Sequence, residues 1–521
     1  MNELLPTLIA ILGVIGLASV AAPRVRVPAP VLLSIAGIVW AVLPGLPHAE
    51  IDPHVVLSIF LPPLLYAEAW RASWHDFRRW MRPILSLAIG LVGFTILCVG
   101  VAAKLLFPEL PWALCFLVGA VLSPTDTVAV HGVLERLRVP RRVTAIIGGE
   151  SLINDATGLL GVQLTLSVFL GGMFEAADVA TTFTRIAGLG ILCGVAVGLL
   201  AIGLNMILRG TAVLFVFSLF APYLAFGVAE ALHASGVLAV VVAGFVASWR
   251  IDVVAPESRV GLYAAWDMLT FVLNGLMFLF VGLEIPRRLG ADPTLLATGV
   301  VVSGVVILAR FLWIWPAAYI PLWIFPRLRE REGGYPAPRG VVLAAWCGVR
   351  GAVSLAAALA LPRALPSGAK FPGLDAIEAA VLVTIAVTLL GQGSTIGLLL
   401  RRLRLPSDPT TEEETRKARE AMLAAGIARL DEFCNEEKCP VAVFRYRDTM
   451  TDRLAELAEL EQSAREHATR RLAVSREVRR AVWQAESNEL LRLRDAGEIN
   501  DRDHQELQLD LDREHADLVA G

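Results

Sequence analysis

The stretch Val118-Gly-Ala-Val-Leu-Ser-Pro-Thr-Asp-Thr-Val-Ala-Val130 lies inside an apolar block that runs from about residue 111 to 133. Pro124 has no backbone N–H and its ring clashes with the preceding turn, so a helix through this block breaks there. A break frees backbone groups, and the hydrocarbon core of a membrane offers no water to take them up. The sequence provides its own substitutes in the hydroxyls of Ser123, Thr125 and Thr127 and the carboxylate of Asp126. These groups can satisfy one another, leaving a plain proline kink, or they can surround a hard cation, which prefers oxygen ligands. Asp126 favours the second reading. An ionisable group at bilayer depth costs at least ~2.5–3.5 kcal/mol on insertion scales and marks a functional site by default, and broken helices near the midplane are a common way to build ion sites.

The surroundings support membrane depth. The chain has 521 residues, 56% of them hydrophobic, with a mean hydropathy of +0.63, against roughly 45–50% apolar residues in soluble domains. Apolar blocks fall near residues 4–22, 29–45, 54–70, 83–103, 111–133, 143–170, 185–208, 211–231, 235–249, 262–285, 295–325, 340–361 and 376–400. They lack period-2 alternation, so they read as spanning helices and not as barrel strands. The expected fold is an all-α polytopic membrane protein with about thirteen spans. Blocks 211–231 and 235–249 are separated only by Leu232-His233-Ala234, which fits a tight hairpin or one bent element. The residues before block 4–22 include Glu3 and no Lys or Arg, unlike a signal peptide, so this block reads as the first span.

Positive charge gives the orientation, because Lys and Arg collect in cytoplasmic loops. With thirteen spans, the odd-numbered connections carry Arg71, Arg78, Arg79 and Arg82, then Arg136 to Arg142, Arg327 to Arg339 and finally Arg401, Arg402 and Arg404, while the even-numbered ones hold far fewer. This predicts an external N-terminus and a cytoplasmic tail. The stretch Leu405-Pro-Ser-Asp-Pro-Thr-Thr-Glu-Glu-Glu414 ends the last span and supplies capping residues, dividing the chain into a membrane domain, 1–405, and a charged tail, 406–521. In the tail, apolar residues recur at helical spacing over 411–433 and about 447–495, which predicts a cytosolic helical domain. It is either regulatory, a dimer contact, or a solvated bundle.

Several classes of function are disfavoured. The six cysteines are scattered, and the Cys434/Cys439 pair has no neighbouring histidine or second pair to complete a zinc site. The eight histidines form no cluster and there is no phosphate-binding glycine loop, so neither an enzyme nor a bound cofactor is expected, and nothing calls for a nucleic-acid partner. A channel would need a continuous pore, whereas this chain has isolated deep charges on a broken-helix scaffold.

The sixth block opens Gly148-Gly-Glu-Ser-Leu-Ile-Asn-Asp-Ala-Thr-Gly158. On a helix, Ser151 and Asp155 share one face at i,i+4, as do Glu150 and Asn154 on the adjoining stripe. A carboxyl group cut off from water favours its protonated form, and a bound cation favours the carboxylate. Asp155 can then hold a proton or a cation but not both, which is the competition an exchanger needs. Arg310 and Arg350 are also deep. Arginine keeps its proton, so they suit counter-charge roles and not proton carriage. The remaining deep carboxylates are Glu230 and Glu378, with Glu68, Asp267 and Glu284 nearer the ends of their blocks.

Four motifs, Phe60-Leu-Pro-Pro-Leu-Leu-Tyr66, Ser123-Pro-Thr-Asp-Thr-Val-Ala-Val130, Gly149-Glu-Ser-Leu-Ile-Asn-Asp-Ala156 and Gly348-Val-Arg-Gly-Ala-Val-Ser-Leu355, resemble those of the monovalent cation:proton antiporters of the sodium/proton exchanger type, over roughly residues 5–402. The resemblance implies two inverted repeats with crossed broken helices, the second at the twelfth span around Arg350. It implies a homodimer in the cell inner membrane that works by elevator-like alternating access. It makes Asp155 the ion-binding carboxylate, with Ser151, Asp126 and Thr125 completing a Na+ site. It makes Asn154 the mark of electroneutral exchange, one Na+ for one H+. By the same analogy Glu150 pairs with Arg310 and Arg350 supports the crossing, although Arg350 could also reach Glu150. A K+/H+ antiporter on the same scaffold and a non-transporting cation or pH sensor are the alternative functions.

Overall fold

The computed structural model describes residues 4–25, 27–43, 56–136, 139–171, 176–289, 293–365 and 368–405, then 409–436 and isolated helical positions between 447 and 511. It divides into two compact units, Met1–Ser407 and Asp408–Gly521.

Within the first unit the described residues make thirteen helical passages. Spans 1 to 3 are Leu4–Val25, Ala29–Val42 and Leu61–Arg71, the last entered through a π-helical turn, Val56–Phe60. Span 4 is Met81–Leu106, and span 5 is Trp112–Leu122 followed, after a break, by Val128–Arg136. Spans 6 to 11 are Arg141–Gly171, Ala176–Ile207, Thr211–Ala231, Gly236–Ser248, Pro256–Leu289 and Pro293–Ile324. Span 12 is broken into Pro338–Trp346 and Ala352–Leu359, and span 13 is Leu374–Leu403. Eight of these are individually long and apolar enough to cross a membrane. No strand occurs among the described residues, only the isolated bridge of Ala364 with Lys370. Between spans 8 and 9 the chain makes a true turn: His233 adopts a positive φ of 51° and the Ser235 hydroxyl accepts the Leu238 N–H to cap span 9.

The order long, broken, long occurs twice, in spans 4 to 6 and in spans 11 to 13. The offset is seven passages. Because successive spans run in opposite directions, an odd offset turns the second set upside down relative to the first, giving the inverted repeats expected of a secondary transporter.

Close backbone approach fixes part of the scaffold. Spans 2 and 10 meet through Gly37 and Gly282, where an added Cβ would stand 2.3 Å from the Leu279 carbonyl oxygen and 2.1 Å from that of Ser34. The Ser34 hydroxyl donates to the Phe278 carbonyl across the same seam at 3.0 Å. The apolar interior forms two main clusters, one of which includes Val118, Leu122, Val349 and Ala352 around the breaks, and the other Leu65, Tyr66 and Val240 from spans 3 and 9. Span 6 contributes Ile147 to the first and Leu152 and Ala156 to the second, so its middle lies between them.

In the second unit the helix Pro409–Glu436 covers the first stretch of helical spacing, and an Arg447–Asp431 ion pair of 2.6 Å joins it to the chain that follows. The second stretch, about 447–495, lies mostly outside the described residues, as does Cys439.

Candidate ion-binding site

The two breaks touch. Span 5 leaves helical geometry after Leu122 and resumes at Val128, while span 12 leaves it after Trp346 and resumes at Ala352. The Asp126 N–H donates to the Val349 carbonyl oxygen at 2.7 Å, joining the unwound segments directly. The Leu122 carbonyl, left free because its helical donor, the Asp126 N–H, turns to Val349, accepts from Arg350 Nε at 2.9 Å, and Arg350 Nη1 donates to the Gly348 carbonyl at 2.5 Å. A buried guanidinium thus takes up the carbonyls that water would satisfy elsewhere. Arg350 turns to these backbone groups, and the carboxylate of Glu150 is hydrogen-bonded by Arg310 instead.

Asp126 stands at the crossing. Its Oδ1 accepts the Val128 N–H at 3.0 Å, and its carboxylate also meets the backbone N–H of Ala352. It therefore caps the resumed halves of both broken spans, where the helix dipoles favour negative charge. Only glycine fits at 351, since an added Cβ would lie 1.8 Å from Asp126 Oδ2. The Ser123 hydroxyl bonds back to its own helix at Ala120 O, 2.8 Å away, and so is directed out of the site.

Span 6 delivers the rest. Spaced as one helical face, Ser151 donates to the Thr125 carbonyl at 2.8 Å and Asn154 Nδ2 donates to Thr125 Oγ1 at 2.5 Å. Thr125 Oγ1 in turn donates to Glu150 Oε1 at 3.4 Å. Glu150 and Arg310, each 1% exposed, form a two-pronged ion pair of 2.5 and 2.8 Å, and Arg310 also donates twice to the Ala344 carbonyl, at 3.1 and 2.9 Å. This pair ties span 6 to span 11 and to the first half of span 12. It passes close to the span 12 backbone: a Cβ on Gly348 would stand 2.4 Å from Arg310 Cδ.

Asp155 differs from its neighbours. It is 5% exposed, and its Oδ1 and the adjacent Asn154 Oδ1 are both buried acceptors without a hydrogen-bond partner. Buried acceptors left unpaired are costly, and a cation or a proton on the carboxyl group satisfies them. Glu68 on span 3 and Asp126 both act electrostatically on Asp155. Glu68 was not among the residues expected at the site, because it stands three positions before Arg71 near a helix end and so resembles an interfacial residue. Its neighbourhood in the Phe60–Tyr66 motif was the available signal. Three carboxylates held together at low dielectric repel one another, and a bound cation relieves that repulsion.

The other deep carboxylates lie elsewhere. Glu284 and Glu378 share Arg288, at 2.6 and 2.7 Å, and Asp267 pairs with Arg71 at 2.7 Å. Glu230 interacts with the Gly236 backbone at the turn between spans 8 and 9.

Comparison with known proteins gives the chain's family. Residues 7–402 match the family model described as sodium/hydrogen exchanger, transmembrane. A Mycobacterium tuberculosis protein named as an uncharacterized Na+/H+ exchanger is 33% identical, over 99% of this chain and 96% of the relative. A Bacillus pumilus protein named sodium, potassium, lithium and rubidium/H+ antiporter is 27% identical over 81% of this chain and 65% of its own length. The solved structure of the sodium proton antiporter MjNhaP1 from Methanocaldococcus jannaschii superposes with a TM-score of 0.60, covering 77% of this chain and 99% of that one at 18% identity, a likeness of fold.

Proposed function

This chain belongs to the sodium/hydrogen exchanger family, and from that premise we propose that it exchanges Na+ or Li+ for H+, one for one, at Asp155. The family consists of multi-pass membrane antiporters and not of enzymes, so the chemistry to explain is coupling. Asp155 is the shared carrier. When it is protonated, the carboxyl group satisfies itself by donating; when it is ionised, the cation takes the place of the donor. Asp155, Ser151, Thr125 and Asp126 supply oxygens around the cation, Glu68 adds charge from span 3, and Asn154 contributes its free Oδ1. The Glu150–Arg310 pair and Arg350 hold the crossed breaks in shape. One site that accepts either ion, opened to one side of the membrane at a time, couples the two gradients.

The observation that carries this reading is the pair of buried, partnerless acceptors on Asn154 and Asp155. A neutral Asn154 beside Asp155, where a second carboxylate could take up another charge, supports electroneutral exchange, one proton replacing one monovalent cation. The assembly is a homodimer embedded in lipid in the cell inner membrane, with the N-terminus outside and the tail, 406–521, a cytoplasmic helical domain. K+/H+ exchange is the second reading, favoured by the breadth of cations in the name of the Bacillus pumilus relative.

Purified protein in vesicles containing a pH-sensitive dye tests both. Addition of Na+, Li+ or K+ outside should produce a pH change that is saturable and absent in Asp155→Asn. A response only to K+ would select the second reading. Folded protein that binds a cation but moves no protons would replace exchange with sensing.

A further inference from the structure

The first break is held from span 6 by the Ser151 hydroxyl on the Thr125 carbonyl. The second break is held by the equivalent span of its own repeat. On span 13, Thr388 Oγ1 accepts the Arg350 N–H at 3.1 Å. The same hydroxyl donates to the Thr384 carbonyl at 2.8 Å, so its lone pair is aimed at the break. Behind it, the Ser303 hydroxyl of span 11 reaches Thr384 Oγ1 at 3.1 Å, and Thr384 itself donates to Ala380 O at 2.7 Å. Thr384 and Thr388 have no exposure at all. Thr388 falls in the π-helical turn Val387–Gly393, the one place where span 13 departs from α geometry, and single π-turns inside helices often mark functional positions.

From Thr388 an unbroken polar route leads to the ion site. Arg350 N–H is fixed on Thr388, the preceding Val349 carbonyl accepts the Asp126 N–H, and Asp126 adjoins Thr125, which Ser151 and Asn154 hold from the other side. We propose that Thr388 is a positioning residue for the ion site: it sets the height of the span 12 break, and through Val349 and Asp126 it fixes where the oxygens of Thr125 and Asp126 stand around the cation. The inference rests on the exchange reading and assigns cage size, hence cation discrimination, to a side chain in the opposite repeat. Small differences in cage size decide among Li+, Na+ and K+, and a hydroxyl that fixes a buried N–H is a stiff means of setting one.

Thr388→Val keeps the shape and the β-branch but removes the acceptor, whereas Thr388→Ser keeps the acceptor. In the vesicle assay, the valine variant should raise the half-saturating Na+ concentration about tenfold, the effect of one lost buried hydrogen bond, and compress the spread between Li+, Na+ and K+. Its maximal rate at saturating cation should stay close to the parent's, and serine should restore both affinity and ranking. The cation-induced rise in melting temperature of the purified protein reads the same affinity without transport. A valine variant with parental affinity and ranking, or one that loses only folded yield or maximal rate, overturns the proposal while leaving exchange intact. A parent protein that shows neither exchange nor cation-dependent stabilisation overturns both.

Discussion

Replacing Arg310 by leucine should be among the most damaging single changes in the membrane domain, and the structure gives the size. Glu150 is 1% exposed, and both of its oxygens are held by Arg310 at 2.5 and 2.8 Å. Without the guanidinium, Oε1 keeps only the long 3.4 Å bond from Thr125 and Oε2 keeps none of the bonds described. Removing one partner of a buried ion pair costs ~3–5 kcal/mol, because the other charge remains desolvated. Replacing both, as Glu150→Leu with Arg310→Met, removes that charge and leaves mainly the Ala344 carbonyl without its donors, a loss of ~1–3 kcal/mol. The double variant should therefore be more stable than Arg310→Leu alone by about 2 kcal/mol. Unfolding of the purified proteins by SDS in mixed micelles measures the difference. The folded fraction of the single variant should lose less in Na+ affinity than the variant loses in stability, since neither residue donates to Asp155 and only the long Thr125 bond joins Glu150 to the site. A single variant within ~1 kcal/mol of the parent, the range of exposed pairs, or a double variant no more stable than the single, would refute the account. So would a well-folded Arg310→Leu with a large change in cation affinity.

Four further outcomes follow from the site and its scaffold. Lower pH adds protons to Asp155, so the cation must displace a proton: the half-saturating Na+ concentration should climb by up to about tenfold per pH unit on the acid side, with little change in maximal rate; curves whose maximum falls while half-saturation stays constant would argue for separate proton and cation sites. Glu68→Gln removes one of three neighbouring negative charges and should weaken cation binding about three- to tenfold, a change of ~1 kcal/mol, with transport retained at high Na+; unchanged affinity would place Glu68 outside the ion's reach. Imposing a potassium–valinomycin diffusion potential at fixed pH should leave the exchange rate unaltered, and a marked acceleration or slowing would defeat the one-for-one stoichiometry. Gly282→Ala places a Cβ 2.1 Å from the Ser34 oxygen and should destabilise the seam of spans 2 and 10 by ~1–3 kcal/mol through overpacking, seen as a lower melting temperature; a variant as stable as the parent would mean the helices part at little cost.

Much of this fold could be read from the chain because membrane burial writes itself into long apolar blocks. All thirteen passages lie where those blocks are, and Pro124 announced the first break by its missing donor. The second break was marked less directly, by Gly348 and Gly351 around a deep arginine. The partner of Glu150 stayed open for a physical reason: Arg310 and Arg350 both lie deep in apolar spans, and periodicity along one helix carries no information about the crossing of another. Contact decides it, with Gly348 leaving room for the Arg310 side chain and Leu122 offering Arg350 a free carbonyl. Glu68 escapes the sequence for a similar reason, because distance from a helix end is visible there whereas distance from Asp155 is not. In sequence Asp126 reads as a ligand, and the structure adds that the same carboxylate caps two half-helices, a task that depends on Gly351 on the other broken span.

The seven-passage offset between the two sets of long, broken and long spans has a consequence for energy as well as for shape. Two halves of similar build that thread the bilayer in opposite senses see the same slab of lipid from opposite leaflets. If one half is bent and the other straight in a given conformer, exchanging their bends yields a second conformer with comparable helix contacts and comparable lipid exposure, now facing the other compartment. Under the proposed exchange the two facings would begin almost degenerate, leaving the bias between them to features that break the equivalence: a carboxylate at 155 against a threonine at 388, and a part-buried Arg288–Glu378 bridge near one leaflet against the more exposed Arg141–Asp76 bridge near the other. Small free energies, of the size an ion gradient supplies, would then be enough to turn the molecule over.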